Sequence, residues 1–277
     1  MGEDPNAQQI AYWNEQAGPT WAAEQAALDR QLAPLGHRAM AELDLSPGQR
    51  VLDVGCGAGE TTLELAAQGA EAVGVDISRP LLDVARRRAQ GAAGVTFLEA
   101  DAQAHAFPPA SFDAVFSRFG VMFFADPTAA FANLRRALKP GGRLAFVCWR
   151  RPDENPFMTA PMIAALQHVP APPPPPDPTA PGPFAFADPE RVRDILAAGG
   201  FTDIALTPHD EKIGRNDLDT ALALALKVGP LGALLRENPD RRDTVIGAVR
   251  AVLAAHDGPD GVTLDSASWI VTARAPA

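Results

Sequence analysis

The stretch Val51-Leu52-Asp53-Val54-Gly55-Cys56-Gly57-Ala58-Gly59-Glu60 decides the fold. Its first half is a short apolar run around one carboxylate, Asp53, and reads as a buried strand. Glycines at 55, 57 and 59 then let the backbone turn sharply and leave no side chain between the loop and a ligand. A helix is expected over 60–68, and its first turn presents unpaired N–H groups and the positive end of a dipole. A ligand should therefore lie across this loop.

Outward from the loop, strands and helices alternate. Strands are expected at 50–54, 72–76, 95–99, 112–117 and 143–149, with helices at 60–68, 80–90 and 127–138. Ser78 and Asp126 read as helix caps and Pro80 as a first-turn proline. This alternation indicates a parallel sheet covered on both faces, with ligands bound at the carboxyl ends of its strands. Upstream, residues 1–9 read as a frayed tail, and 10–35 as helical, rich in Ala, Gln and Trp. Pro19 is expected to break that segment into two helices, the second capped by Thr20. Tyr12, Trp13 and Trp21 crowd there, although the chain has one Tyr and four Trp; they read as core rings or as a lid over the cleft. A further helix is expected at 36–43.

Beyond residue 150 the pattern changes. A helix is expected at 157–169, then a proline tract containing Pro172 to Pro176, which reads as a stiff connector rather than a docking ligand. Helices follow at 188–198, 218–228 and 241–256, and strands at 201–213 and 262–275. The domain reading is an N-terminal helical cap segment at 1–45, a ligand-binding core at 46–150, and a proline-rich loop and helix of the cap at 151–187. The last part, 188–277, returns strands to the core and carries a helical insertion at 214–260.

The 277 residues suit one large domain, and 47% hydrophobic with 21% charged residues suits a soluble globular enzyme. A net charge of −10 argues against holding nucleic acid by phosphate neutralisation. Cys56 and Cys148 form no spaced metal or disulfide pattern, so no metal is expected and a reducing cytoplasm is the simplest compartment. The N-terminus lacks the apolar core of a signal peptide, and no apolar run reaches membrane-spanning length.

Two readings of the loop compete. A dinucleotide needs G-x-G-x-x-G, but here the third glycine comes one residue early and Glu60 stands where a pyrophosphate would lie. Carboxylates follow three strands, at Asp53, Asp76 and Asp101. An acid after the second strand can accept from both ribose hydroxyls, and one near the loop suits a cationic ligand such as a sulfonium.

The order of motifs supports the second reading. Residues 51–59 resemble the first signature of class I S-adenosylmethionine-dependent methyltransferases. Gly74-Val75-Asp76-Ile77-Ser78 resembles the second and Leu98-Glu99-Ala100-Asp101-Ala102 the third. Leu138-Lys139-Pro140-Gly141-Gly142-Arg143-Leu144 resembles the closing one. The resemblance covers about residues 45–150. Within the family it leans toward small-molecule enzymes similar to the ubiquinone and menaquinone C-methyltransferases, on the segment Phe119-Gly120-Val121-Met122-Phe123-Phe124-Ala125-Asp126-Pro127. It implies an α/β, Rossmann-like, doubly wound and mostly parallel seven-stranded sheet, with an antiparallel last strand and a helical cap.

The resemblance also implies roles. Gly55, Cys56 (through its backbone), Gly57 and Gly59 would cradle the methionine part of S-adenosylmethionine, with Asp53 holding the loop. Asp76 would take the ribose hydroxyls, Ile77 the adenine face, Asp101 and Ala102 the adenine edge, and the Ser117 carbonyl the amino group. Trp21 is a further cofactor candidate. Arg118, Phe119, Met122 and Phe123 are candidates for the acceptor pocket, and His105 and Arg118 for catalysis. Arg118 could instead pair with Asp126 or a cap residue. The expected reaction is methyl transfer by direct displacement to a small apolar or aromatic molecule, at carbon or oxygen, leaving S-adenosylhomocysteine. The competing classes are a non-catalytic cofactor-binding or regulatory subunit and a nicotinamide-dependent reductase. The expected partner is a small molecule, with no nucleic acid, and the chain would be a monomer or homodimer.

Overall fold

The computed structural model describes residues 6–170 and 177–277. The prolines at 172–176 and the first five residues of the expected frayed tail lie outside the described residues. The strands are β1 (Arg50–Val54), β2 (Glu71–Asp76), β3 (Val95–Glu99), β4 (Phe112–Arg118), β5 (Leu138–Trp149), β6 (Thr202–Asn216), β7 (Asp257–Gly258) and β8 (Gly261–Arg274). They form one sheet in the order β3-β2-β1-β4-β5-β8-β6, with the two-residue β7 paired to β8 off that path. The expected seven strands are thus present, and β7 is added. The first five pair in parallel, while β8 is antiparallel to both β5 and β6.

Unbroken apolar runs make the central strands. Val51 and Leu52 in β1, Val115 and Phe116 in β4, and Phe146 and Val147 in β5 are all fully buried. Such runs are what a strand covered on both faces requires. Strand order reverses between β1 and β4, which opens a crevice at their carboxyl ends.

The helices are α1 (Ala7–Ala11), α2 (Ala17–Ala23), α3 (Gln25–Ala41), α4 (Glu60–Ala67), α5 (Arg79–Arg88), α6 (Pro127–Ala137), α7 (Pro156–Leu166), α8 (Pro189–Ala198), α9 (Leu218–Lys227), α10 (Leu231–Glu237) and α11 (Arg242–Ala254). Pro19 does not break the N-terminal segment as expected. It lies in the first turn of α2, where a missing N–H costs little, after a π-helical stretch at Tyr12–Gln16. The break falls at Glu24 instead (φ −99°, ψ 11°). The helix expected at 36–43 is the last part of α3, which carries Pro34 within it. Asp126 caps α6 by accepting from the Ala129 N–H, and Asp188 caps α8 by accepting from Glu190. Ser78 makes no side-chain cap for α5.

A second apolar core lies away from the sheet centre. Ala165 of α7, Leu222 of α9, Leu235 of α10, and Val245 and Val249 of α11 pack there against Leu264 of β8. The fully buried Asn155 ties its entrance to the sheet. Its Nδ2 donates to the Ala267 carbonyl at 3.0 Å, and its Oδ1 accepts from the Ala267 N–H at 2.9 Å. Among the described residues no single helix is long and apolar enough to cross a membrane. The pair α9 and α10 meets that length and composition together but is bent by 70°; most of its leucines belong to this second core, and Leu224 packs on Ala27 and Leu28 of α3.

Candidate active site

The glycine loop is shaped by backbone demands. Gly55, Gly57 and Gly59 all have positive φ, at 68°, 53° and 81°. A Cβ on Gly55 would lie 2.7 Å from Gly120 Cα, and one on Gly59 would lie 2.7 Å from the Phe97 ring. A Cβ on Gly57 would meet nothing closer than Leu81 at 3.9 Å, so this position faces open space in the cleft. Gly55 and Cys56 both donate to the Val75 carbonyl, which docks the loop on the end of β2.

Asp53 is fully buried beneath the loop. Its Oδ2 accepts from the Thr61 and Thr62 hydroxyls at 2.7 and 2.6 Å, and Oδ1 has no hydrogen-bond partner among the described residues. Burial pushes its carboxyl up to about 6, against the opposite pull of the threonines and Arg118. Asp53 therefore holds the start of α4 and does not line the cleft. Asp76 does line it. One oxygen accepts from the Gly57 N–H and the other from the Ser78 N–H, both at 2.8 Å. Burial raises its carboxyl as well, and these amides act against that rise. A carboxylate offers about four acceptor positions, so two remain for a ligand's hydroxyls. Asp101 Oδ1 accepts from the Gln103 N–H at 2.9 Å, and Ile77, Asp101 and Ala102 line the same wall.

Aromatic rings line the remainder of the cleft: Trp13, Trp21, Phe119, Phe123 and Phe124. Trp13 meets Trp21 and Phe123 edge to face, at 5.6 and 5.2 Å between ring centres. Phe119, held at φ 62°, stacks on Trp149 at 4.1 Å, and Trp149 in turn faces Phe157 of α7. Ser117 is completely buried. Its hydroxyl donates to the Val54 carbonyl and accepts from the Gly120 N–H, joining β1 to the turn after β4.

Arg118 reaches the cleft but is already engaged. Its guanidinium pairs with Glu60, the first residue of α4, and with Asp29 of α3. Asp29 also pairs with Arg88 of α5 at 2.9 Å, and Arg88 donates to the Ala58 carbonyl. Burial, then the neighbouring Glu60, raises the Asp29 carboxyl. Asp126, an expected alternative partner of Arg118, is occupied as the cap of α6.

Six expected site residues stand outside the cleft lining: Asp53 and Ser117, described above, Gly59 against the Phe97 ring, and His105, Met122 and Cys56. His105 follows a turn in which its N–H donates to the Asp101 carbonyl, and its ring packs edge-on against Phe107, outside the cleft lining. Met122 is 1% exposed and belongs to the main core; Phe124 takes its expected place on the wall. The buried Cys56 packs its sulfur over Gly74, and burial raises its thiol far above the ordinary range, so this residue acts through its backbone. Among the described residues no group of three or more His, Cys, Asp or Glu is placed to hold a metal ion.

The sequence reading passed over Asn14, Asp29 and the pairing role of Glu60. Asn14 carries no motif. The Asp29–Arg118 pair spans 89 positions, so no local spacing reveals it.

The residues fit S-adenosylmethionine. The glycine loop is open at Gly57, the Asp76 carboxylate keeps acceptor capacity, and Ile77 and Ala102 offer apolar surface beside Asp101. Comparison with known proteins points the same way. A methyltransferase-domain family model matches residues 52–146. The demethylmenaquinone methyltransferase of Thermus thermophilus is 37% identical over 166 residues, which cover 56% of this chain and 74% of that enzyme. Phosphoethanolamine N-methyltransferase 3 of Arabidopsis thaliana is 35% identical over 116 residues, 41% of this chain and 24% of that protein. The fold of the YcgJ protein from Bacillus subtilis superposes with a TM-score of 0.58 at 19% identity, covering 89% of this chain and 98% of that one. Identity of this extent with the Thermus enzyme, carried on a cleft that fits the cofactor, means that the chain belongs to the class I S-adenosylmethionine-dependent methyltransferases, related to their small-molecule and menaquinone members.

Proposed function

We propose that this methyltransferase acts on a small aromatic molecule by direct displacement, at a carbon of an electron-rich ring or at an oxygen that is already ionised. The observation that carries this is the aromatic wall of Trp13, Trp21, Phe119 and Phe123 facing the loop, beside an Arg118 already held by Glu60 and Asp29. A flat apolar acceptor can stack or pack edge-on there, and neither His105 nor any other histidine lines the wall to remove a proton. The Thermus relative is named for demethylmenaquinone, which agrees with a ring acceptor, while the Arabidopsis relative is named for phosphoethanolamine, an amine.

In this reading the cofactor supplies an activated methyl group, and the protein aligns acceptor and donor and keeps water out. Gly55, Gly57 and Gly59 would let the backbone approach the methionine part, while Ser117, buried outside the cleft lining, holds the β1–β4 junction beside it. Asp76 would accept from the ribose hydroxyls, Ile77 would cover the adenine, and Asp101 and the Ala102 N–H would meet its edge. Trp21, Phe119 and Phe123 press the acceptor toward the methyl.

The test is formation of S-adenosylhomocysteine from S-adenosylmethionine with a dihydroxynaphthalene or with phosphoethanolamine as acceptor. Turnover with the ring compound, and a methyl located on the ring or its oxygen by mass spectrometry, is expected. Turnover with phosphoethanolamine alone would overturn the reading.

A further inference from the structure

The N-terminal segment is fastened to the turn that follows Asp76. Asn14, inside the π-helical stretch, donates from Nδ2 to the Ile77 carbonyl at 2.9 Å, and its Oδ1 accepts from the Arg79 N–H at 3.0 Å. The Ser78 hydroxyl donates to the Trp13 carbonyl at 2.8 Å. Contact is so close that a Cβ on Gly18 would fall 1.9 Å from the Trp13 oxygen and 2.5 Å from Ser78 Oγ. Single π turns inside helices recur at functional sites, and this one sets Trp13 over the cleft while Asn14 reaches the turn beside it.

Two further facts give this fastening a purpose. First, the cleft beneath Trp13 and Trp21 encloses about 130 Å³, below the ~300–1,000 Å³ usual for a small-molecule site. Outward movement of the segment that carries these rings would widen the cleft for a nucleoside. Second, α5 is capped from outside. Ser78 has the extended backbone of an N-cap residue (φ −89°, ψ 105°) but makes no side-chain cap bond, while Asn14 takes the neighbouring Arg79 N–H, which a Ser78 cap would leave open. When the segment leaves, the Ser78 hydroxyl is released and can turn to accept from the first turn of α5, as serine does at helix starts.

We propose that Asn14 is a positioning residue that latches the N-terminal segment over the cofactor, and that release of this latch admits and discharges the cofactor, with Ser78 exchanging the Trp13 carbonyl for the cap of α5. The proposal rests on the cofactor lying against Asp76 and Ile77 as described above. Asn14 does not line the cleft; it acts through Trp13 on one side and the Ile77 turn on the other.

The experiment is stopped-flow tryptophan fluorescence on the full chain, with S-adenosylhomocysteine bound and then chased by excess S-adenosylmethionine. Asn14→Ala is expected to release the product about tenfold faster than wild type. Asn14→Asp keeps the acceptor for Arg79 but cannot donate to Ile77, and should fall between. Gly18→Ala, whose Cβ would crowd both the segment's own Trp13 carbonyl and Ser78 Oγ, disturbs the π turn and its contact with Ser78 together and should also speed release. Ser78→Ala removes a bond from both the fastened and the released arrangement, so its release rate should stay within about twofold of wild type. Circular dichroism on each variant identifies any that fails to fold, and the remaining variants then carry the test. Wild-type release rates in both Asn14→Ala and Gly18→Ala would overturn the latch, and acceleration by Ser78→Ala equal to that of Asn14→Ala would overturn the exchange. A wild-type protein that binds no S-adenosylhomocysteine would overturn the cofactor placement instead.

Discussion

On the nucleotide side of the cleft the backbone does the holding. Gly55 and Cys56 donate to Val75, Gly57 and Ser78 donate to Asp76, and the lining here comes from residues between 54 and 102. On the acceptor side, side chains from distant parts of the chain meet. Trp13 meets Phe123, Phe119 stacks on Trp149, and Arg118 joins Asp29 to Glu60. The first wall is specified by short-range motif and left-handed glycines, the second by tertiary packing. One wall can stay constant while the other is redrawn, because they share few residues.

That contrast predicts unequal responses to substitution. The largest belongs to Asp76→Ala, which removes the acceptor that Gly57 and Ser78 share and that is proposed to take the ribose. Affinity for S-adenosylhomocysteine should fall about 100-fold, as expected for losing hydrogen bonds to a charged group. Calorimetry that finds unchanged affinity would remove Asp76 from the cofactor site. Next comes Arg118→Ala, which leaves Asp29 and Glu60 facing each other without their shared cation. Breaking such a partly buried network should cost about 3 kcal/mol of stability in urea titration. Glu60→Gln, which leaves Arg118 paired with Asp29, should cost less; an equal loss would mean that the arginine is not the hub.

The pH response of Asp53 tests the buried side of the loop. An ordinary aspartate titrates near 3.9 in the unfolded chain, whereas burial holds this one at about 6. The folded protein therefore binds the extra proton between those values, and stability falls as pH rises from about 4 to about 6. Above that range the penalty is constant at about 3 kcal/mol. Asp53→Asn has no such penalty, so its melting temperature relative to wild type should improve between pH 4 and pH 7.5. A constant difference would mean that Asp53 is not perturbed. The smallest effect is that of Phe123→Ala. It should raise the acceptor KM about tenfold through lost apolar contact and change S-adenosylhomocysteine affinity by less than about threefold. A larger effect on the cofactor than on the acceptor would erase the division between the walls.

The same division explains what was legible in the sequence. The order of Asp53, Asp76 and Asp101 around the glycines revealed the sheet, its carboxyl edge and the cofactor wall, because each signal is local and backbone-based. Strand limits were right to within a few residues except in β5, which starts at Leu138 where the helix was expected to end and not at 143. His105 was a sequence neighbour of Asp101, but a turn directs its ring to Phe107. Pro19 read as a break because proline usually is one; the π turn before it absorbed the conflict. Asn14 and Asp29 were invisible since the partners that matter, Ile77 for Asn14 and Arg118 for Asp29, lie 63 and 89 positions away and neither residue belongs to a motif.

The insertion of β8 between β5 and β6 also has a consequence for how the protein is made. Of the strands in this sheet β8 leaves the ribosome last, yet it fills an interior place, with Ile270 and Val271 fully packed and Asn155 bonded to a residue 112 positions later. During synthesis the cofactor wall can form early, since β1 to β5 pair among themselves, while β5 waits with one edge unpaired. Such an edge is a template for pairing with other chains, and domains that must wait for a late segment are exposed to misassembly. A nascent chain that stops short of residue 261 would therefore carry an intact nucleotide wall and a sticky flank, and is the species a chaperone would have to shield.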